Sequence, residues 1–319
     1  MTGQPMISLA DIEAARTRIS PHIRKTPVME IAAVRESLGL RATTVMKLEL
    51  FQVTGSFKAR GAMNRLLGDP LGTPTGGIVT ASGGNHGLAV ARTAHAAGTP
   101  ATIFVPRSVS MEKVERMRGW RADVRIVGDE WLVSNDAALA FAQETGATYF
   151  HPFADPLVVA GQGTLGLEIA QQIADLDAIV VAIGGGGLIS GLSTAMKALK
   201  PSIKVIGVEP EGSPTLKASL DAGHVVRLAE VTSRVATMSC RQTDDRIFGM
   251  VRAQVDDVLL VSDEDMLQAS RWLWSEFAIA ADLSGAASIA ALRRWGSRFA
   301  SYGKICALIC GAGSEGMGG

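Results

Sequence analysis

The sequence predicts an α/β fold in which parallel strands are covered by helices, and three observations carry that prediction. From about Gly77 onward, short β-branched runs alternate with Ala-rich amphipathic stretches, the order of a parallel sheet and its crossover helices. Several of those runs end directly in glycine-rich turns. The chain has 319 residues, 47% of them hydrophobic and 35 of them glycine, enough to bury a sizeable core shared between two domains.

Taken in order, the candidate strands are Ile78 to Ala81, Ala101 to Val105, Asp123 to Val127, Ala178 to Ile183, Lys204 to Val208, Val258 to Val261 and Lys304 to Cys310. Helix signals lie between them. Asn85 stands as the cap of an Ala-rich run that stops at Gly98, and Ser262 with Asp265 resembles a capping box for a helix reaching Phe277. No internal repeat or low-complexity linker interrupts the chain. The expected division is a smaller domain over 50–147 set into a larger one built from 1–49 and 148–319.

Lys and Arg number 31, Asp and Glu also 31, and no dense basic block is present, which argues against nucleic acid or an anionic membrane as partner. A small-molecule ligand is the better expectation. Met1 to Ala14 carry no basic leader, and no stretch reaches the roughly 18 apolar residues of a membrane span, so a cytoplasmic protein is expected. Cys240, Cys306 and Cys310 show no CxxC spacing, which suits reduced thiols rather than a disulfide framework or a zinc site. No metal centre is expected.

In open parallel sheets ligands bind at the carboxyl ends of strands, so polar or glycine-rich segments directly after a strand come first. Ile183-Gly184-Gly185-Gly186-Gly187-Leu188 follows an apolar run and precedes a helix signal. Four consecutive glycines leave main-chain amides bare at a helix N-terminus, an anion cradle suited to phosphate; a tight turn would need only one or two. A dinucleotide is the rival ligand, because Glu209 ends the next strand about two dozen residues further on, near where a ribose-binding acid would stand. Against it, a G-x-G-x-x-G pattern would need glycine at Ile189 or Ser190.

A second segment, Ala81-Ser82-Gly83-Gly84-Asn85-His86-Gly87, also joins a strand to a helix, where free N–H groups suit a carboxylate; a plain cap at Asn85 is the simpler reading. The third is Gln52-Val53-Thr54-Gly55-Ser56-Phe57-Lys58-Ala59-Arg60-Gly61, a turn and short helix with a lysine beside an aromatic ring. On pattern alone Lys58 reads as a solvated surface lysine.

Together and in this order, these segments resemble the fold-type II (tryptophan synthase β-like) pyridoxal 5′-phosphate (PLP) enzymes. The resemblance is nearest to the serine/threonine dehydratase (threonine ammonia-lyase) and serine racemase branch. It rests on Thr54 to Ala62, Ser82 to Gly87, His151-Pro152-Phe153 with Asp155-Pro156 through Gly161-Gln162-Gly163-Thr164, and the tetraglycine loop, and it runs from about Ile7 to the end. It implies twisted parallel sheets with helices on both faces, two domains, PLP as cofactor, an amino acid substrate and a homodimer. By position, Lys58 is implied to carry the cofactor as a Schiff base and to act as the base at Cα, a task that requires a lysine with a lowered pKa. Phe57 is implied to pack near the ring, Asn85 to bond the phenolic oxygen, and Gly184, Gly185, Gly186, Gly187 and Leu188 to hold the phosphate. Ser82, Gly83, Asn85 and His86 are implied to take the substrate carboxylate. Cys310 is implied to face the pyridine nitrogen, where a neutral partner makes the ring a weaker electron sink and suits β-elimination.

The departures are informative. Racemases of this branch carry a serine where this chain has Gly83, so a second acid/base is missing. Asp282 replaces the usual glutamate before Leu283-Ser284-Gly285-Ala286. Thr215 stands where racemase-like members place an acid six residues beyond the residue matching Glu209, which lowers the charge available to a cation. Gly311-Ala312-Gly313 follows Cys310, and a regulatory domain like that of allosteric threonine deaminases is not expected. His86 and Gly55-Ser56-Phe57 differ from the cysteine synthase branch, which makes β-replacement the lesser expectation. Arg241, in Met238 to Asp244, is either a partner for a second carboxylate, as in 3-hydroxyaspartate, or a solvated loop arginine.

The expected function is a lyase taking a β-hydroxy-L-amino acid of the serine/threonine type to a 2-keto acid and ammonia. Alternatives of the same fold are a dehydratase of 3-hydroxyaspartate or another β-hydroxy amino acid, and an amino acid racemase. From other classes, a NAD-binding oxidoreductase and a PLP-fold binding module remain open.

Overall fold

The structure, a computed structural model, describes residues 6–72 and 74–317. Its strands are β1 (Val28–Glu30), β2 (Thr43–Lys47), β3 (Ile78–Ala81), β4 (Ala101–Val105), β5 (Asp123–Ile126), β6 (Thr148–Tyr149), β7 (Ala178–Ala182), β8 (Lys204–Pro210), β9 (Asp257–Val261) and β10 (Lys304–Leu308). The helices are α1 (Leu9–Ile19), α2 (Lys58–Leu67), α3 (Asn85–Ala96), α4 (Met111–Arg118), α5 (Trp131–Thr145), α6 (Pro156–Gln172), α7 (Gly187–Leu199), α8 (Thr215–Ala222), α9 (Asp245–Gln254), α10 (Asp263–Phe277) and α11 (Leu283–Arg294).

Two sheets organise the chain. The larger has the order β1-β2-β10-β7-β8-β9 and the smaller β5-β4-β3-β6, and every pairing is parallel except β1 with β2. The smaller sheet reaches to Thr148–Tyr149, two residues past the expected domain edge at 147, because β6 pairs with Ile78 and Val79. One apolar core spans both sides of the larger sheet; the smaller sheet has one core against α3 and α4 and another against α5. β7 is buried along its whole length, as a central parallel strand must be.

Each of the seven sequence-predicted strands is present, two of them (Ile78–Ala81 and Ala101–Val105) with the expected ends and the other five with one end displaced by one or two residues. β10 stops at Leu308 rather than Cys310, because the Cys310 carbonyl turns away to accept from the Phe57 amide at 3.2 Å. β1, β2 and β6 have three, five and two residues and lack the length or alternation that marks a strand; β2 buries Lys47, a charge that breaks the apolar pattern. The capping box of Ser262 and Asp265 forms as the sequence predicts, opening a helix that ends at Phe277. Asn85 does not cap α3. Gly84 occupies the cap position without a side-chain bond, and Asn85 is the first helical residue with its side-chain amide committed to Asp282.

α2 is held tightly in place. A Cβ on Gly61 would lie 2.3 Å from the Gln162 amide nitrogen, and one on Gly161 would lie 2.7 Å from the Arg60 carbonyl, so glycine at both positions lets α2 and α6 approach. Arg60 is buried between Glu49 at 2.5 Å and Glu168 at 2.9 Å, and Lys47 meets Glu168 at 2.5 Å. This network pins α2 two residues beyond Lys58.

Candidate active site

Lys58 opens α2. Ahead of it, Thr54 holds φ 66, a conformation sterically disfavoured for a β-branched residue, and Gly55 follows at φ 80. The Lys58 ammonium donates to the Pro152 carbonyl at 2.7 Å and lies 5.2 Å from the centre of the half-buried Phe57 ring. Removal from water lowers its pKa from 10.5 to about 8. Close by in sequence, the Thr54 and Ser56 hydroxyls are buried without a partner. The surface reading of Lys58 is therefore replaced by that of a lysine held in a poorly hydrated site.

The tetraglycine loop joins β7 to α7. Gly186 caps α7 at φ 93, a left-handed conformation in which a side chain would be strained. Phe153 packs against the loop so closely that a Cβ would lie 2.2 Å from its ring at Gly185 and 2.6 Å from its carbonyl at Gly187. Among the described residues, the main-chain N–H groups from Gly184 to Leu188 meet no protein acceptor. They form an open cradle at the start of a 13-residue helix. Thr243 braces it by donating to the Gly185 carbonyl at 3.0 Å. Sequence reasoning did not find Thr243, which lies in the unassigned stretch from Met238 to Asp244.

A second cradle follows β3. The Gly84 N–H donates to the Ser82 hydroxyl at 3.3 Å, while those of Asn85, His86 and Gly87 have no protein acceptor among the described residues. A Cβ on Gly87 would lie 2.1 Å from the Ser82 carbonyl, so the loop curls tightly over the helix start. His86 is buried and donates through Nε2 to the Phe150 carbonyl at 3.1 Å. Burial and then the Lys58 charge hold its pKa down at about 3, so it is neutral and structural. His151 accepts through Nδ1 from the amides of Phe153 and Ala154, and burial lowers its pKa to about 4.

Asn85 donates to Asp282 at 2.8 Å, and Asp282 caps α11. Cys310 is buried; its thiol donates to the Ser284 carbonyl at 3.4 Å, and burial followed by the Asp282 charge pushes its pKa up, so it stays a neutral thiol. Beside these residues opens a cleft of about 400 Å³ whose walls include Gly83, Asn85, Arg116, Thr237, Asp282 and Ala312. The space a side chain would need at Gly83 is filled by Val109, whose Cγ2 lies 2.1 Å from the Cβ position. Arg241 directs its guanidinium onto the Leu228 and Ala229 carbonyls, which favours the loop reading over a second carboxylate partner. Glu209 is buried with both oxygens accepting from the amides of Leu216 and Lys217 at 2.8 Å, while Thr215 donates to the Cys240 carbonyl.

These residues fit PLP. The cradle at Gly184 to Leu188 suits a phosphate, the water-poor Lys58 suits a carbonyl partner, the buried thiol offers the ring nitrogen a neutral contact, and the second cradle suits a carboxylate.

Comparison with known proteins agrees with this. The family model described as Pyridoxal-phosphate dependent enzyme matches residues 19–311. An L-threonine ammonia-lyase of Thermotoga maritima is 35% identical over 309 residues, covering 97% of this chain and 76% of the relative. The structure of maize serine racemase superposes with a TM-score of 0.91 at 32% identity, over 96% of this chain and 94% of that one. A threonine deaminase of T.th. superposes with a TM-score of 0.89 at 36% identity, over 96% of this chain and 98% of that one.

Proposed function

Since the chain belongs to the family of pyridoxal-phosphate dependent enzymes, we propose that it is an ammonia-lyase converting a β-hydroxy-L-amino acid of the serine/threonine type to a 2-keto acid and ammonia. The observation that carries the reading is the placement of Lys58, a lysine of pKa about 8 at the start of α2, in a site whose other parts are two N–H cradles and a neutral thiol.

PLP supplies an electron sink for the substrate Cα. Gly184 to Leu188 would hold its phosphate, Phe57 would support the ring, and Asn85 and Cys310 would meet the phenolic oxygen and the ring nitrogen. Ser82, with the amides of Gly83, Asn85 and His86, would fix the substrate carboxylate at the positive end of α3. Lys58, with about a tenth of its population neutral near pH 7, would take the Cα proton; at the unperturbed pKa under roughly one part in a thousand would be neutral. Gly83 offers no proton on the other face, and Val109 fills the space beside it, which favours elimination over racemisation.

The two sheets support a division into domains at 1–49 with 148–319 and at 50–147, apart from the Thr148–Tyr149 strand. Action as a homodimer is carried over from the resemblance, and a cytoplasmic location from the sequence reading of Met1 to Ala14 and of the apolar runs. No helix among the described residues is long and apolar enough to cross a membrane.

A panel of serine, threonine, both 3-hydroxyaspartates and β-phenylserine, scored for ammonia and keto acid, tests the reaction. A visible band that borohydride bleaches tests the cofactor. Lys58→Ala is expected to abolish turnover and the bleachable band while retaining the fold and some noncovalent PLP, because the phosphate cradle is built by a separate element. Near-normal turnover in that variant would remove Lys58 from its role.

A further inference from the structure

The carboxylate of Asp282 divides its two oxygens between two tasks. Oδ1 accepts from the Gly285 amide at 2.5 Å and the Ser284 hydroxyl at 2.7 Å, which caps α11. Oδ2 accepts from the Asn85 amide nitrogen at 2.8 Å, a bond between residues 197 positions apart that ties the helix after the smaller sheet's β3 to the larger body. Asp282 is only 6% exposed. Its main-chain amide donates to the Gly311 carbonyl at 3.0 Å, and a Cβ on Gly311 would lie 2.6 Å from Oδ2. The glycine after Cys310 is therefore what lets the carboxylate reach this position. Two residues on, the Ser284 carbonyl accepts the Cys310 thiol. One short turn, Asp282 to Ser284, thus touches both side chains that the proposed function sets against the cofactor ring.

A primary amide presents two N–H groups at one edge and an oxygen at the other, and a carboxylate acceptor decides which edge faces it. Turning the Asn85 amide over would bring its oxygen against Oδ2, two acceptors with no proton between them. We propose that Asp282 is a positioning residue for the cofactor, fixing the Asn85 amide so that its nitrogen, with one N–H still free, is presented to the phenolic oxygen of PLP. This rests on the reading of Asn85 as a ring contact. On this proposal Asp282 acts through Asn85, the residue its Oδ2 accepts from at 2.8 Å.

The test uses Asp282→Asn and Asp282→Ser in the holoenzyme. Asparagine and serine cap helices about as well as aspartate, so α11 is expected to keep its start. In Asp282→Asn, the new side chain keeps its oxygen on Gly285 and turns an NH2 toward the NH2 of Asn85; in Asp282→Ser, the single hydroxyl leaves no second oxygen to offer. Both variants should keep a thermal midpoint close to wild type in the apo state, shift the borohydride-sensitive visible band, and bind PLP at least ten-fold more weakly by equilibrium dialysis, equivalent to about 1.4 kcal/mol. In an Asn85→Ala background, Asp282→Ser should add no further weakening and no further shift. A wild-type band and affinity in both variants would overturn the proposal, as would full additivity with Asn85→Ala. If Asp282→Asn does not fold, Asp282→Ser alone decides. Absence of the bleachable band from the wild-type protein is a different result, and would remove the PLP reading itself.

Discussion

Placing a serine at position 83 tests both the packing of the site and its chemistry. The resemblance implies that a hydroxyl there would supply the second proton missing from the face opposite Lys58, but the structure shows that Gly83→Ser alone is not a clean experiment. The new Cβ would lie 2.1 Å from Cγ2 of Val109 and 3.1 Å from its Cβ and Cγ1, and a β-branched side chain has little freedom to withdraw. Overpacking of this size costs about 1–3 kcal/mol and is expected to distort the carboxylate cradle. Val109→Ala removes the obstructing methyls at a cost of about 1 kcal/mol for a partly buried site. The double variant should therefore be more stable than the sum of the single changes predicts, by about 1–2 kcal/mol in urea unfolding. With L-serine as substrate, chiral chromatography alongside a keto acid assay should find little D-isomer from wild type and a higher inversion-to-elimination ratio from the double variant. Additive stabilities would refute the claim that Val109 occupies the position-83 space. Substantial D-serine from the unmodified protein would show that another group protonates the second face.

Two further outcomes follow from the buried groups. His86 has a folded pKa of about 3, and an unfolded chain binds its proton near 6.5, so its contribution to stability is complete above that pH and is lost as the pH falls. Between pH 6.5 and 5 this amounts to about 2 kcal/mol at most, and His151, lowered to about 4, adds in the same direction. Urea midpoints across that range should fall less steeply in His86→Gln, and an unchanged slope would count against a buried neutral imidazole. Cys310→Ser should cost about 1 kcal/mol or less, whereas Cys310→Asp places a second carboxylate near Asp282 in a buried site and should cost about 3 kcal/mol or more. A Cys310→Asp protein as stable as wild type would mean that the two groups do not share one field.

The sequence by itself determined the fold class and the parts of the site that short stretches of chain can build. Seven strands were legible because short β-branched runs, several of them ending in glycine, are local signals, and the Gly184 to Leu188 cradle was legible because four glycines at a helix start constrain the backbone whatever surrounds them. The strands at Val28–Glu30, Thr43–Lys47 and Thr148–Tyr149 were not, being short or interrupted by a charge that only a distant partner, Glu168, makes tolerable. Lys58 was identified only through the order of several motifs together; nothing in its own neighbourhood distinguishes it from a surface lysine. What tertiary structure alone decided are the contacts between residues far apart in sequence. Asn85 looks like a helix cap until Asp282 is brought to 2.8 Å from it, and Gly83 looks like a permissive position until Val109 fills the space beside it. The physical reason is that local propensity depends on near neighbours along the chain, whereas desolvation, amide orientation and steric exclusion depend on what packs nearby, which is set by how elements distant in sequence come together within and between the two sheets.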